Sequence, residues 1–324
     1  MLYNNKMSKD RYLITGATGL IGSSLLRKLV IDGSFVTCPI RNIQKANSLF
    51  NPLIFEKVCW IDKPVEQYLQ ITKENFDYII HCASPTSGKY MVEHPVETYE
   101  YIIESTRILL EYAHKKGIKG MVYVSSLEYY GQNFSNNVIT EDFEGYIEPM
   151  SPRSCYPLGK RAAEYLCTAY ASEYKVPVKI ARLTQTFGPG ISADDNRVFV
   201  QFARSVINKE NIILHTDGES AKPYCHVYDC VEAILTILSK GNSCEVYNVA
   251  NEETYISVKD MAEFVQKNFN PEHGVVIQKR DDLGYAPVTK LRLSTQKLRD
   301  LGWTPKHNLF EMYDDLIKEL EKYI

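Results

Sequence analysis

The sequence predicts an α/β protein built on a doubly wound parallel sheet with a smaller C-terminal cap, and three observations carry that prediction. Through the first half, short apolar runs alternate with longer stretches whose apolar residues recur every three and four positions. Strand, helix, strand in this rhythm implies parallel strands with right-handed crossovers. A glycine-rich turn, Gly16-Ala-Thr-Gly19-Leu-Ile-Gly22, joins the first apolar run to the first helical stretch. After about Gly188 the alternation loosens and Gly, Pro, Asn and Asp become denser, as suits a cap over the carboxyl ends of the strands, where such sheets bind ligands.

In order, residues 11–15 read as a strand and 20–31 as a helix, with further strands at 35–38, 58–61, 78–82, 120–124 and 178–183. Helical periodicity marks 96–115 and 158–174 between the later strands, and 197–208, 228–239, 258–269 and 310–323 beyond them. No repeat or low-complexity stretch interrupts the pattern.

The bulk composition excludes several classes. With 324 residues, 44% hydrophobic and 24% charged, the chain has the balance of an ordinary globular protein, as one large domain or two joined units. A net charge of -3 gives no footprint for nucleic acid, and no basic run marks a membrane surface. Eight cysteines are scattered without a Cys-x-x-Cys pair, so neither a zinc knuckle nor a disulfide framework is expected. The histidines show no metal spacing, and no metal site is assigned. Residues 1–10 are polar, and no apolar run approaches the roughly 18 residues of a membrane span, so a cytoplasmic location is expected.

The glycine turn has a specific physical use. Following a strand and opening a helix, Gly16, Gly19 and Gly22 let the backbone turn tightly and approach a pyrophosphate, whose charge meets the free amides of the helix N-terminus. This is the start of a Rossmann-type dinucleotide site. NAD sites usually end the second strand with an acid for the ribose hydroxyls. Here that stretch runs Val36-Thr-Cys-Pro-Ile-Arg41-Asn-Ile-Gln-Lys45, with no acid and two cations. Arg41 can grip a 2′-phosphate with Lys45 as a second charge, so NADP is preferred and NAD is the alternative. Arg41 stacked on adenine or facing solvent would be the bland reading.

A second motif, Tyr156-Pro-Leu-Gly-Lys160, lies where a helix begins. Residues four apart share a helix face, so the Lys160 ammonium can favour the Tyr156 phenolate. A phenol normally titrates near ~10 and needs such a neighbour to serve as acid or base near neutrality.

These residues, with His81-Cys-Ala83-Ser84-Pro85, Ser125-Ser126-Leu127-Glu128-Tyr129-Tyr130-Gly131, Pro152-Arg-Ser-Cys-Tyr156, Arg182-Leu-Thr-Gln-Thr-Phe187-Gly188-Pro189 and Lys222-Pro-Tyr-Cys-His226-Val-Tyr-Asp229, span nearly the whole chain. The set resembles the extended short-chain dehydrogenase/reductase family of nucleotide-sugar enzymes, and within it the UDP-glucuronate decarboxylases. The resemblance implies a dinucleotide-binding domain at 1–188 and, at 189–324, mainly a nucleotide-sugar-binding cap with some return to the core. It implies Tyr156 as acid/base, Lys160 on the nicotinamide ribose and Ser126 hydrogen-bonded to the reacting oxygen. Glu128 would act as a base or, preferably, hold a sugar hydroxyl. Around the cofactor it adds Thr18, Leu20, Ile21, Asn42, Asp62, Ala83, Ser84, Leu183 and Thr186. Around the nucleotide sugar it adds Ser84, Pro85, Gln185, Arg197, Val198 and Lys222. It also implies a homodimer through the helices at 96–115 and 158–174.

The chain departs from the decarboxylase pattern at four places: Leu127 for a small hydroxyl residue, Lys222 for Arg, Gln185 for Asn, and Arg41 for an acid. Lysine offers a point charge where arginine offers a planar fork for a carboxylate. Net reductions usually draw on NADPH. The sequence alone therefore favours an NADPH-dependent reductase of the carbonyl of a nucleotide-linked sugar or ketose. The alternative is a UDP-glucuronate decarboxylase, 4-epimerase or dehydratase that recycles its hydride internally on NAD. A member that has lost catalysis is the rival outside enzymology, and retention of Tyr156, Lys160 and Ser126 argues against it.

Overall fold

The computed structural model describes residues 10–133, 137–280 and 288–323. Its main sheet has seven strands in the order Val246–Val249, Val178–Leu183, Gly120–Ser126, Tyr78–His81, Arg11–Thr15, Phe35–Ile40, Val58–Asp62. The registered pairs around the first strand are parallel: Tyr12 lies opposite both Val36 and Tyr78, and His81 opposite Tyr123. The order reverses direction at Arg11–Thr15, the switch point at which such sheets bind ligands.

Boundaries move where local chemistry permits. The second strand runs on through Pro39 to Ile40 because the first strand pairs with it only as far as Thr37, so the missing proline N–H breaks no registered pair on that side. The helix expected from residue 158 begins earlier, at Cys155. Pro157 falls in its first turn, where an N–H would have no partner within the helix.

Two compact units divide the chain: one holds residues 1–125, 149–181 and 237–246, the other 126–148, 182–236 and 247–324. In the first, Leu13, Ile79, Met121 and Ile180 from the sheet join Ile102, Leu109, Ala163 and Cys167 from the Pro95–Lys116 and Cys155–Tyr174 helices in one core. The helices approach closely because position 159 is glycine; a Cβ there would stand 3.1 Å from Ile102 Cδ1. The second unit has a three-stranded sheet centred on Ala221–His226, parallel to Gln185–Phe187 and antiparallel to Asn251–Ser257. Phe187, Phe199, Tyr224 and Tyr313 stack in its core. Short strands of three to seven residues give too little periodicity to be read from sequence. Among the described residues no helix is long and apolar enough to cross a membrane.

Candidate functional site

The first unit carries the glycine turn. Gly16 has φ +72°, a left-handed conformation that glycine adopts without strain, and a Cβ on it would meet the Ala83 amide nitrogen at 2.7 Å. A Cβ on Gly22 would fall 2.2 Å from the Gly16 carbonyl oxygen. Backbone therefore packs on backbone, and Gly19 caps the Leu20–Ile31 helix without any side-chain hydrogen bond. The Ser84 hydroxyl is buried with no hydrogen-bond partner. An uncapped helix start beside an orphaned hydroxyl fits a dinucleotide: Gly16 through Gly22 would hold its pyrophosphate, and Ala83 and Ser84 would line it.

A hydrogen-bonded chain ties this turn to the helix behind it. The Ala83 N–H donates to Thr15 Oγ1 (3.3 Å), which lies 2.7 Å from His81 Nδ1, while His81 Nε2 lies 3.3 Å from Ser105 Oγ. The Ser105 hydroxyl donates to the Tyr101 carbonyl at 2.6 Å, so its oxygen accepts from Nε2–H, and Thr15 donates to Nδ1. His81 is thus neutral, and burial beside the Lys160 ammonium pushes its pKa down to about 3. The sequence assigns His81 no role; its signal is parity, since Thr15 and His81 are register partners on adjacent strands.

At the end of the second strand Arg41 is exposed and places its guanidinium 5.4 Å from the Tyr101 ring centroid. Asn42 caps the next helix by accepting from the Lys45 N–H at 2.9 Å. Lys45 and Asp62 are exposed.

Tyr156 and Lys160 are both buried, at 7% and 2% exposure. The Lys160 amine donates to the Val124 carbonyl at 2.9 Å and lies 4.8 Å from the Tyr123 ring and 5.6 Å from the Tyr156 ring. The structure brings this pair together as the four-residue spacing predicts. An ammonium beside a phenol can stabilise its phenolate, which is what a group passing a proton to and from an oxygen needs.

The second unit starts at Ser126, the last residue of the Gly120–Ser126 strand. Its hydroxyl accepts from the Glu128 N–H at 3.2 Å and caps a short 3-10 turn. Glu128 faces Lys222: burial lowers the pKa of the amine, and the carboxylate opposes that shift. A carboxylate and an amine so placed can bind a polar sugar through opposite charges. Leu127 is buried among Tyr130, Ile139 and Leu293. Gln185 pairs with Tyr224, and Thr186 Oγ1 lies 3.1 Å from Cys230 Sγ; Leu183 is buried at the end of its strand. Arg197 holds Asp195 through Nη2 at 2.7 Å and Nε at 3.0 Å and stands just before the Val198–Ile207 helix. The arrangement commits that guanidinium to a carboxylate of its own chain.

Among the described residues one group of possible metal donors occurs, His226, His307 and Asp315, with donor atoms within 4.8 Å of one another. The imidazoles stack at 3.9 Å with planes 22° apart, which aims their in-plane lone pairs side by side rather than at one point. Asp229 receives His307 Nδ1 at 2.9 Å and the N–H groups of Lys306 and His307 at 3.0 Å. The group packs the C-terminal helix in place.

Known proteins share this chain's sequence pattern and fold. The chain is 28% identical over 317 residues to UDP-glucuronic acid decarboxylase 6 of Arabidopsis thaliana, covering 96% of this chain and 89% of that one. To UDP-glucuronic acid decarboxylase 1 of Xenopus tropicalis it is 29% identical over 330 residues, covering 98% and 74%. Its fold matches UDP-glucose 4-epimerase of Thermotoga maritima, solved with UDP-glucose, at a TM-score of 0.82 with 23% identity, covering 97% of this chain and 99% of that one. UDP-glucuronic acid 4-epimerase of Bacillus cereus, solved with NAD, matches at 0.77 with 20% identity, covering 96% and 99%. The NAD dependent epimerase/dehydratase family model matches residues 12–250. This chain belongs to that family, and its members' chemistry makes it an enzyme acting with a nicotinamide dinucleotide.

Proposed function

We propose that this enzyme oxidises and re-reduces the same nucleotide-linked sugar, with decarboxylation of a UDP-linked sugar acid as its first candidate reaction. The observation that carries the reading is the buried Tyr156–Lys160 pair on one helix, beside the strand that ends in Ser126. Similarity to the decarboxylases over almost the full length supports the substrate.

Held by Gly16 through Gly22 with Ala83 and Ser84, NAD would supply the hydride acceptor for oxidation at the sugar C4 and the hydride donor for its re-reduction. Tyr156 accepts the C4 hydroxyl proton as the carbonyl forms and gives it back on reduction, while Ser126 hydrogen-bonds that oxygen. Lys160 supports the phenolate between these steps. Lys222 pairs with the sugar carboxylate, and Glu128 holds a sugar hydroxyl. With C4 oxidised, the carboxylate on C5 is β to a ketone; its carbon–carbon bond breaks to release carbon dioxide, the electron pair passes into the enolate, and a proton then adds at C5.

Arg41 by itself favours NADP, as does the missing acid after the second strand. The relatives solved with NAD, and a reaction that needs no external reductant, shift the cofactor to NAD. The second reading, NADPH-dependent reduction of a nucleotide-linked keto sugar, keeps one observation in its favour: Arg41 is exposed just after the Phe35–Ile40 strand. The enzyme is also proposed to pair with a second copy through Pro95–Lys116 and Cys155–Tyr174, which expose Val96, Tyr99 and Tyr165. None of the eight cysteines is joined in a disulfide, in keeping with the proposed reducing cytoplasm.

Purified enzyme given UDP-glucuronic acid and no reductant should release carbon dioxide or form the epimer. Tyr156→Phe should lower turnover by roughly 100- to 10,000-fold while leaving NAD affinity unchanged. Turnover only with NADPH and a keto sugar would replace the first reading with the second.

A further inference from the structure

The Cys155–Tyr174 helix buries a third titratable residue beyond Tyr156 and Lys160. Glu164 lies one turn after Lys160 and is 4% exposed. A carboxylate is costly to bury unless hydrogen-bonded or paired, and this one accepts from the Ser125 hydroxyl at 2.5 Å. Ser125 is itself 4% exposed.

The two helix residues reach consecutive positions of one strand. Lys160 takes the carbonyl of Val124 and Glu164 takes the hydroxyl of Ser125. The next residue is Ser126, where the Gly120–Ser126 strand ends. Alternation along a strand puts Tyr123 and Ser125 on the same face, which is why the Tyr123 ring lies beside Lys160 and the Ser125 hydroxyl beside Glu164. Loss of the Ser125 bond would remove the side-chain tie between Ser125 and Glu164 on that helix.

We propose that Glu164 is a positioning residue: through Ser125 it fixes the end of the Gly120–Ser126 strand against the helix that carries Tyr156, and so sets where Ser126 presents its hydroxyl. A carboxylate acceptor strengthens such a bond, since hydrogen bonds to an ionised acceptor are about twice as strong as neutral ones. This inference rests on the proposed role of Ser126 at the reacting oxygen. The glycine turn lies on another strand, so cofactor binding is separable from it.

The test compares Ser125→Ala, Glu164→Ala, the double variant and Glu164→Gln in the full-length enzyme. Ser125→Ala and Glu164→Ala should each lower kcat roughly 10- to 100-fold, the range for a misplacement of about 1 Å, with NAD affinity and KM within about threefold. The double variant should be no worse than Glu164→Ala, because both single changes remove one shared interaction. Glu164→Gln keeps an acceptor of the same size and should recover most of the activity. Parent-like kcat in Ser125→Ala, additive losses, or losses matched by weaker NAD binding would overturn the proposal. Should the parent itself turn over no nucleotide sugar, the proposed reaction fails, and amide hydrogen exchange decides this point separately. Faster exchange at residues 124–127 in Ser125→Ala supports the brace, and unchanged exchange refutes it.

Discussion

Acidification should destabilise this protein through His81, and the size of the effect follows from its surroundings. His81 is 1% exposed, accepts from Thr15 at Nδ1, and lies near the Lys160 ammonium. Its pKa falls to about 3 in the fold, against roughly 6.5 in an unfolded chain. The folded form is therefore the one that refuses the proton. Its contribution is complete above about pH 6.5 and drains away as pH falls towards 3. At pH 5 the unfolded state gains about 2 kcal/mol by protonating this one ring, and the whole interval is worth about 5 kcal/mol. His226, pushed down to about 4 by burial and the neighbouring His307, adds a similar amount at pH 5, before carboxylates titrate. Urea unfolding at pH 8 and pH 5 should show a loss of about 4 kcal/mol in the parent, halved in His81→Asn, which keeps an acceptor for Thr15 but cannot take the proton. Nitrogen resonances of His81 followed by NMR should not move between pH 8 and pH 5. A His81 midpoint between 5 and 7, or an equal pH slope in the variant, would refute the reasoning.

Four more outcomes follow from particular contacts. Gly19→Ala should fold with a melting temperature close to the parent, because its Cβ would only touch the Gly16 carbonyl at 3.4 Å, yet lose at least tenfold in dinucleotide affinity by calorimetry because the methyl fills the approach to the pyrophosphate. Gly22→Ala, with its Cβ at 2.2 Å from that oxygen, should instead lower the melting temperature measurably through displaced backbone. Arg41→Ala should weaken NADP binding about tenfold or more and leave NAD unchanged if its guanidinium meets a 2′-phosphate; equal small effects on both would assign it to the Tyr101 ring. Asp229→Asn should cost about 3 kcal/mol in urea unfolding, since it disturbs a buried acceptor of three hydrogen bonds, whereas a cost under 1 kcal/mol would show that those bonds re-form.

Long-range order was legible wherever the period of the sequence was long enough. The strands and helices through Leu183 each bury one face or two, and the Tyr156–Lys160 pair needs only helix geometry to bring its members together. Cross-strand and cross-element contacts were not legible. Glu128 and Lys222 are 94 residues apart in sequence and share an electrostatic environment only because Ala221–His226 and the turn after Ser126 belong to one unit. Arg197 looked available for a nucleotide, yet Asp195 two residues earlier holds it through Nε and Nη2. Neighbours in sequence supplied that bond, so an acid at i−2 could have signalled it. The Tyr101 ring beside Arg41 was hidden for a related reason: a side chain named only by its charge says nothing about the aromatic ring next to it.

The buried titratable groups around the dyad follow one electrostatic logic. Burial pushes the Cys82 thiol up to about 12 and raises Cys167 and Tyr123 well above their ordinary values, while it drives His81 down to about 3. Each of these groups is therefore uncharged near neutral pH. Lys160 contributes to the shifts at Cys82, Cys167 and His81, and Glu164 opposes it at Cys167. Two cations stand beside Tyr156, the Lys160 ammonium 5.6 Å and the Arg153 guanidinium 5.8 Å from its ring centroid, and both favour its phenolate. A proton acceptor that must release the same proton later in the cycle is served by such a surrounding, because His81, Cys82, Cys167 and Tyr123 stay neutral and do not compete for that proton.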